Sequence, residues 1–386
     1  MATITHIAFW TLCFLCFSCR AQDTTTPIFT ASEDSPIAMT CNPGNIASGD
    51  LNKDGKTDLV IACGETRSLM IFTGRGDGRF DRMGSNPLVF SNPPNEIVIG
   101  DMNRDGNPDL VVGSHDSYRV RILLNDGEAN FDTAKSRSVT MKDGKDPHTH
   151  GLGIADLNGD GYTDLATANS SDHDVSIMLS NGSGIFQAAP GSPFPVSPAP
   201  YPLTIGDVNG DRHPDIVSTT SDRSKSVVTL LVGDGRGQFK RRDIPVRTTS
   251  PWYVAIGDIN KDKVVDLVMT HTERSELTVL TGNGNGEFTE ITGSPFNLGT
   301  NAWHVEICDV NGDANPDVLA AADNGVRVML GDGTGQFAAA PGSPFPTGKG
   351  TWHLSVTDVN GDGRPDVVTS NLESKNVSVM LGSLNR

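Results

Sequence analysis

The chain has 386 residues, enough for two or three ordinary domains or for one large all-β assembly. Its formal net charge is −17, yet 21 of its 47 acidic residues are aspartates of one repeated loop, and seven bound calcium ions would leave only −3. The acidity is therefore an ion-binding feature; it gives no reason to expect a basic protein partner, and nothing in the chain forms a phosphate-binding or nucleic-acid surface.

At the N-terminus, Ile7 to Ser18 form a 12-residue apolar run, too short to span a bilayer and typical of a secretory signal. A signal peptide over residues 1–21 is expected, with cleavage after Ala21 in Cys19-Arg20-Ala21. The alternative is a lipoprotein signal, because Phe17-Ser18-Cys19 resembles the end of a lipobox and would make Cys19 a lipid anchor. Either route delivers the protein to the extracellular space or the cell surface. No other segment is apolar enough to cross a membrane, so residues 22–386 are expected to form one monomeric domain. Cys41 and Cys63 flank the first acidic loop and are placed to pair, although the odd Cys308 argues against a disulfide framework.

The stretch Asp50-Leu-Asn-Lys-Asp-Gly-Lys-Thr-Asp58 then returns at Asp101, Asp156, Asp207, Asp258, Asp309 and Asp358. Every copy keeps Asp at positions one, five and nine and Asn at position three. Alternate side-chain oxygens, with a backbone carbonyl at position seven, are what a hard cation such as calcium takes. The expected ligands are Asp50, Asn52, Asp54, Lys56 and Asp58 in the first loop, and Asp101, Asn103, Asp105, Asn107 and Asp109 in the second. They continue as Asp156, Asn158, Asp160, Tyr162 and Asp164, then Asp207, Asn209, Asp211, His213 and Asp215. The last three sets are Asp258, Asn260, Asp262, Val264 and Asp266; Asp309, Asn311, Asp313, Asn315 and Asp317; and Asp358, Asn360, Asp362, Arg364 and Asp366. The position-seven residues count through their carbonyls. Acidic turns also use Asp, Asn and Gly, but turn chemistry does not demand seven identical acid patterns. Position six needs a sharp turn, which Gly55, Gly106, Gly161 and Gly363 supply. Arg212, Lys263 and Ala314 stand there in repeats four to six, where weaker or empty sites are expected.

The flanks exclude an EF-hand: Ile-Val-Ile-Gly precedes Asp101 and Leu-Val-Val-Gly follows Asp109, so each loop joins two strands rather than two helices. The loops are 49 to 55 residues apart, the period of four-stranded propeller blades. After each loop come a second strand, a third strand and a glycine-rich turn such as Gly233-Asp-Gly-Arg-Gly-Gln-Phe239, with a fourth strand expected to begin at the Phe. The last repeat stops after its third strand. Ile28-Phe29-Thr30 copies Ile185-Phe186-Gln187, so an N-terminal strand near residues 27–37 is expected to complete the last blade.

Seven copies of Gly-Asp-hydrophobic-Asn-x-Asp-Gly-x-x-Asp-Leu-Val-Val, each followed by a Val-rich strand and a Gly-x-Gly-x-Phe turn, resemble FG-GAP/VCBS repeats over about residues 28 to 382. The resemblance implies an all-β, seven-bladed β-propeller of four-stranded antiparallel blades, similar to integrin α-subunit heads, with calcium held in the loops. It implies no single activity.

Six residues before the loops stand Trp252, Trp303 and Trp352, with Tyr201 and His150 in the equivalent places of blades four and three. With Tyr253, His304 and His353 these form either inter-blade packing or an aromatic arc for a ligand, on the face opposite the calcium loops. The second-to-third turns on that face carry His115, Asp116, His173, His271 and Glu273. His148 and His150 have the spacing of a shared zinc or copper pair but lack a third ligand nearby in sequence. Arg75-Gly76-Asp77 is an integrin-binding tripeptide in a turn where Arg and Asp are ordinary fillers, and Asn169, Asn181 and Asn376 fit the N-glycosylation pattern. No hydrolase elbow, zinc-protease motif or phosphate loop is present. The expected function is a secreted calcium-binding module, not an enzyme, for a protein or extracellular polysaccharide. The alternatives are a lectin with repeated sugar sites between blades and a polysaccharide lyase or hydrolase on the same scaffold.

Overall fold

A computed structural model describes residues 27–84, 87–271 and 273–383. The expected signal segment and Cys19 lie outside the described residues. Seven antiparallel sheets are present, each with a path of four strands. Their first strands are Ile46–Gly49, Pro94–Gly100, Thr149–Ala155, Pro200–Gly206, Pro251–Gly257, Ala302–Cys308 and Thr351–Thr357. Each touches the first strand of the next blade and the last touches the first, so together they ring a central channel. The protein is a closed seven-bladed propeller.

The second strands show why the sequence lacks the usual apolar–polar alternation. In Asp58–Cys63, all six residues are buried, and the same holds for the other six second strands. Val60 and Ala62 pack toward blade two, whereas Leu59 and Ile61 pack toward blade seven. Seven apolar clusters fill the seven interfaces between neighbouring blades. A strand covered on both faces has no solvent side to make polar.

Blade seven is assembled from both ends of the chain. Phe29–Ala31 pairs antiparallel with Asn376–Gly382, aligning Phe29 with Gly382, and Ile37–Ala38 pairs farther along the same strand. Ile28 and Phe29 are buried in the cluster between blades six and seven.

Blade two departs from the expected pattern. Phe131 forms an isolated bridge to Asn125 rather than opening a strand, and the outer strand is Arg137–Thr140. Ala129 replaces a glycine of the turn yet keeps its left-handed backbone, with φ 58°, and the chain departs only after Phe131, where Asp132 caps a short 3₁₀ turn at Thr133–Lys135 by accepting from Ala134 N at 2.9 Å. Cys41 and Cys63 are joined by a disulfide with Cα atoms 5.7 Å apart, and Cys308 is a free, partly buried thiol.

Candidate functional site

Each acidic loop leaves the end of a first strand and folds the same way. The first Asp accepts the backbone N–H of position six at 2.7–2.9 Å in all seven copies. The Asn at position three accepts from position five, and the Asp at position five accepts from position seven. Position six has φ between 65° and 82° in every copy, including Arg212, Lys263 and Ala314, so those three side chains bear the strain that glycine avoids. Position four is also left-handed throughout, with Lys53, Arg104 and Lys261 in three copies, a requirement the motif does not announce.

The ninth Asp has a second task. One oxygen accepts the N–H of loop position two at 2.8–3.1 Å. The other accepts the N–H at the end of the third strand at 2.7–2.9 Å. Each of these aspartates is fully buried. Burial pushes the carboxyls of Asp109, Asp164, Asp215, Asp266 and Asp317 up to about 6 and raises those of Asp58 and Asp366, against the pull of the two N–H bonds. The first and fifth aspartates beside them add to the rise. Three carboxylates and an amide oxygen crowded on one short loop form a hard-oxygen donor set, and each bonded oxygen retains a lone pair for an ion.

At the other end of the first strands, aromatic rings form a continuous arc. His150 packs on Tyr201 with centroids 4.0 Å apart, Tyr201 on Trp252 at 3.9 Å, Trp252 on Trp303 at 6.1 Å and Trp303 on Trp352 at 5.3 Å. The four rings from Tyr201 to Trp352 are half-buried. Below them Tyr253, His304 and His353 make a second tier at 4.1 and 3.8 Å. Both tiers line one mouth together with Asn45, Asn95 and Glu96. Strict strand alternation would send Trp252 and Tyr253 to opposite faces. Pairing with the second strand shifts register between Pro251 and Val254, and equivalent shifts occur in blades two to four, six and seven. A bulge of this kind re-aims side chains, and here consecutive residues reach the same mouth.

The mouth is polar beneath its aromatic rim. Asn45 Nδ2 donates to Glu96 Oε2 at 3.0 Å and lies 3.2 Å from His353 Nε2, which places the His353 proton on Nδ1. Among the described residues, His353 Nδ1, His304 Nδ1 and Asn95 Nδ2 have no hydrogen-bond partner. Enclosure raises Glu96 to about 7 and, deeper in the channel, Glu306 to about 8, even though both carboxyls keep some contact with the channel. It holds His353 down at about 3 and His304 well below the usual range, His353 adding to the latter. The cavity among these groups is about 30 Å³, room for a water or two.

The FG-GAP-like repeat model matches six overlapping segments, residues 50–112, 101–167, 156–218, 207–269, 265–320 and 309–369. The chain belongs to the FG-GAP-like repeat family. Human integrin alpha-6 is 29% identical over 144 residues, which is 33% of this chain and 12% of the integrin, so this FG-GAP chain spans a small part of that relative's length. Among solved structures, BBS1N in complex with ARL6DN is 13% identical with a TM-score of 0.64, covering 92% of this chain and 97% of that one. An Agrocybe aegerita lectin, solved for its recognition of non-reducing terminal N-acetylglucosamine, is 19% identical with a TM-score of 0.56 over 78% and 81%. Both likenesses are of fold.

Other candidates sort themselves on this FG-GAP propeller. Arg75 and Asp77 are tied into ion pairs with Asp81 and Arg79, so the tripeptide is braced as a turn. Asn169 is fully buried and bonded to Asp174 and Ser176, which corrects its reading as a glycosylation site; Asn181 is exposed in a turn. His271 is buried and bonded to Thr249 O and Thr278 Oγ1, and Glu273 pairs with Arg223. Sequence reasoning missed Asn45, Glu96 and Glu306, whose signal was their place on the first strands or, for Asn45, just before one, within a few residues of the aromatic offset.

Proposed function

We propose that this chain is a secreted, calcium-stabilised binding module that takes an extracellular polysaccharide or a protein side chain on its aromatic mouth. The observation that carries the reading is the half-buried arc of Tyr201, Trp252, Trp303 and Trp352 above unpaired nitrogens of His304, His353 and Asn95. Flat rings with polar atoms beneath offer stacking surface and orienting hydrogen bonds to a sugar ring or an anchoring side chain. The ligand rests on the arc, because the space beneath it, about 30 Å³, is too small for a sugar ring.

Calcium is assigned to the acidic loops from their donor set and from the family. Positions one, three, five and nine would hold the ion through side-chain oxygens and position seven through its carbonyl; when bound, the ion supplies positive charge that offsets the mutual repulsion of three aspartates. The loops of blades four and five, with Arg212 and Lys263 at position six, are the weakest candidates. Secretion is supported by the Cys41–Cys63 disulfide, which suits an oxidising compartment, and by the integrin relative.

A lectin using sites between blades is the second reading. A cleft of about 650 Å³ between blades one and two, lined by Leu69, Ile71, Met83, Ala129 and Phe131, favours it, as does the fold shared with the Agrocybe aegerita lectin. A glycan array with a turnover assay on uronate polymers separates the readings from each other and from an enzyme. Trp303→Ala with His353→Ala should abolish array binding while the calcium-dependent thermal midpoint stays mostly intact. Binding retained by that variant refutes the mouth as the site, and polymer cleavage refutes a pure binding module.

A further inference from the structure

Blades two and three bring together three histidines, of which only His150 also takes part in the aromatic arc. His115 lies in the turn after the second strand of blade two, and His148 and His150 lie at the start of blade three. Their ring centroids are 4.0, 4.7 and 4.8 Å apart, and one ring nitrogen from each lies within 4.8 Å of the others. The backbone builds this juxtaposition. Thr149 N donates to His115 O at 3.1 Å, Thr149 Oγ1 to Ser117 O at 3.2 Å and Ser170 N to His148 O at 2.7 Å.

Two details point to an occupant. Asp116 Oδ1 is 2.8 Å from His115 Nδ1, which fixes the proton there and leaves Nε2 with a free lone pair. His150 is 6% exposed, and its buried Nδ1 has no partner among the described residues.

We propose that His115, His148 and His150 form a site for one late divalent transition-metal ion, zinc or copper, with a fourth position open to water or ligand. Three imidazoles suit these borderline ions and not calcium, which takes oxygen. A tetrahedral ion with bonds of about 2.0–2.1 Å holds its nitrogens about 3.4 Å apart, so binding contracts the cluster by roughly an ångström. His115 and His148 are only half-buried, so the contraction falls on the less enclosed side chains. Asp116 is a positioning residue: it orients His115 and would not touch the ion. The site stands at the blade-three end of the arc, where the His150 ring meets Tyr201.

The test uses the full untagged chain in saturating calcium, so that the acidic loops do not compete. Zinc and copper are titrated separately against a chromophoric chelator, and the copper form is examined by electron paramagnetic resonance. One equivalent should bind, copper more tightly than zinc, with nitrogen hyperfine structure from three imidazoles. His115→Ala with His148→Ala should weaken binding at least 100-fold with an unchanged circular dichroism spectrum, and Asp116→Asn should weaken it about 10–100-fold. Wild-type protein that binds neither metal stoichiometrically, or a copper signal with oxygen ligation alone, overturns the proposal. The spectroscopic arm reads the wild-type chain and decides the matter even if a variant misfolds.

Discussion

Truncating Phe29 tests whether the ring depends on its N-terminal strand. The side chain is 5% exposed and packs edge-on against Phe345 with centroids 5.3 Å apart, in a cluster with Val310, Leu319, Leu354 and Met380. Removing a buried phenyl ring from such a site costs about 3–5 kcal/mol, the sum of lost transfer energy and the cavity left behind. Against a total stability of order 5–15 kcal/mol, that is a large share for one residue of a three-residue strand. The loss should also spread, because Phe29–Ala31 is all that covers that stretch of the outer edge of Asn376–Gly382. Urea unfolding of Phe29→Ala in calcium, followed by tryptophan fluorescence, should show a lower midpoint in the single main transition, corresponding to a free-energy loss of that size. Deleting residues 26–35 should go further and promote aggregation through the bared strand edge. A deletion variant as soluble and as stable as the full chain refutes the closure argument.

Chelation should lower the thermal midpoint of the wild-type chain, since a site filled at one hundred times its dissociation constant contributes about 2.7 kcal/mol; an unchanged midpoint refutes calcium binding. Ala314→Gly, at φ 65°, should raise stability by about 0.5–1 kcal/mol with calcium present, checked by the urea midpoint, because the left-handed strain removed, about 1–2 kcal/mol, exceeds the chain entropy that glycine costs. The channel carboxyls should give a pH signature. Glu306 titrates near 8 and Glu96 near 7 in the fold, against an ordinary value of 4.5, so the fold holds extra protons in that window and loses stability as pH rises through it. His304 and His353, held neutral beside them, act in the opposite sense and lose stability as pH falls below about 6.5. Glu306→Gln, whose amide oxygen can still accept from Val356 N, should remove the Glu306 share of the stability lost as pH rises from 5 to 8 and leave the opposing histidine contribution in place, in urea titrations at pH 5, 7 and 9. Parallel profiles for both proteins refute the assignment.

Repetition made most of the fold legible without coordinates. The acidic spacing, the strand after each loop and the Gly-x-Gly-x-Phe turn each depend on backbone conformations a few residues long, and seven copies multiply a weak local signal. That is why the blade count and the order of strands can be read directly from the chain. Where the local sequence changed, as at the 3₁₀ turn that Asp132 caps after Phe131, the reading failed for that blade alone.

The candidate sites divide along the same physical line. An acidic loop closes on itself within nine residues, so its first, third and fifth ligands are written consecutively. Its ninth Asp, however, also clasps a backbone N–H at the end of the third strand, Gly74 in the case of Asp58, and that contact exists only once the blade has folded. The aromatic positions were legible from their common offset, but the mouth they share depends on bulges that alternation does not foretell and on Glu96 and Asn45 from blades two and one. His115 is 33 residues before His148, a separation with no meaning until two blades stand side by side. The sequence by itself determined what recurs within a blade, because those contacts are local; the tertiary structure decided what meets between blades, because only closing the ring brings distant strands to one axis.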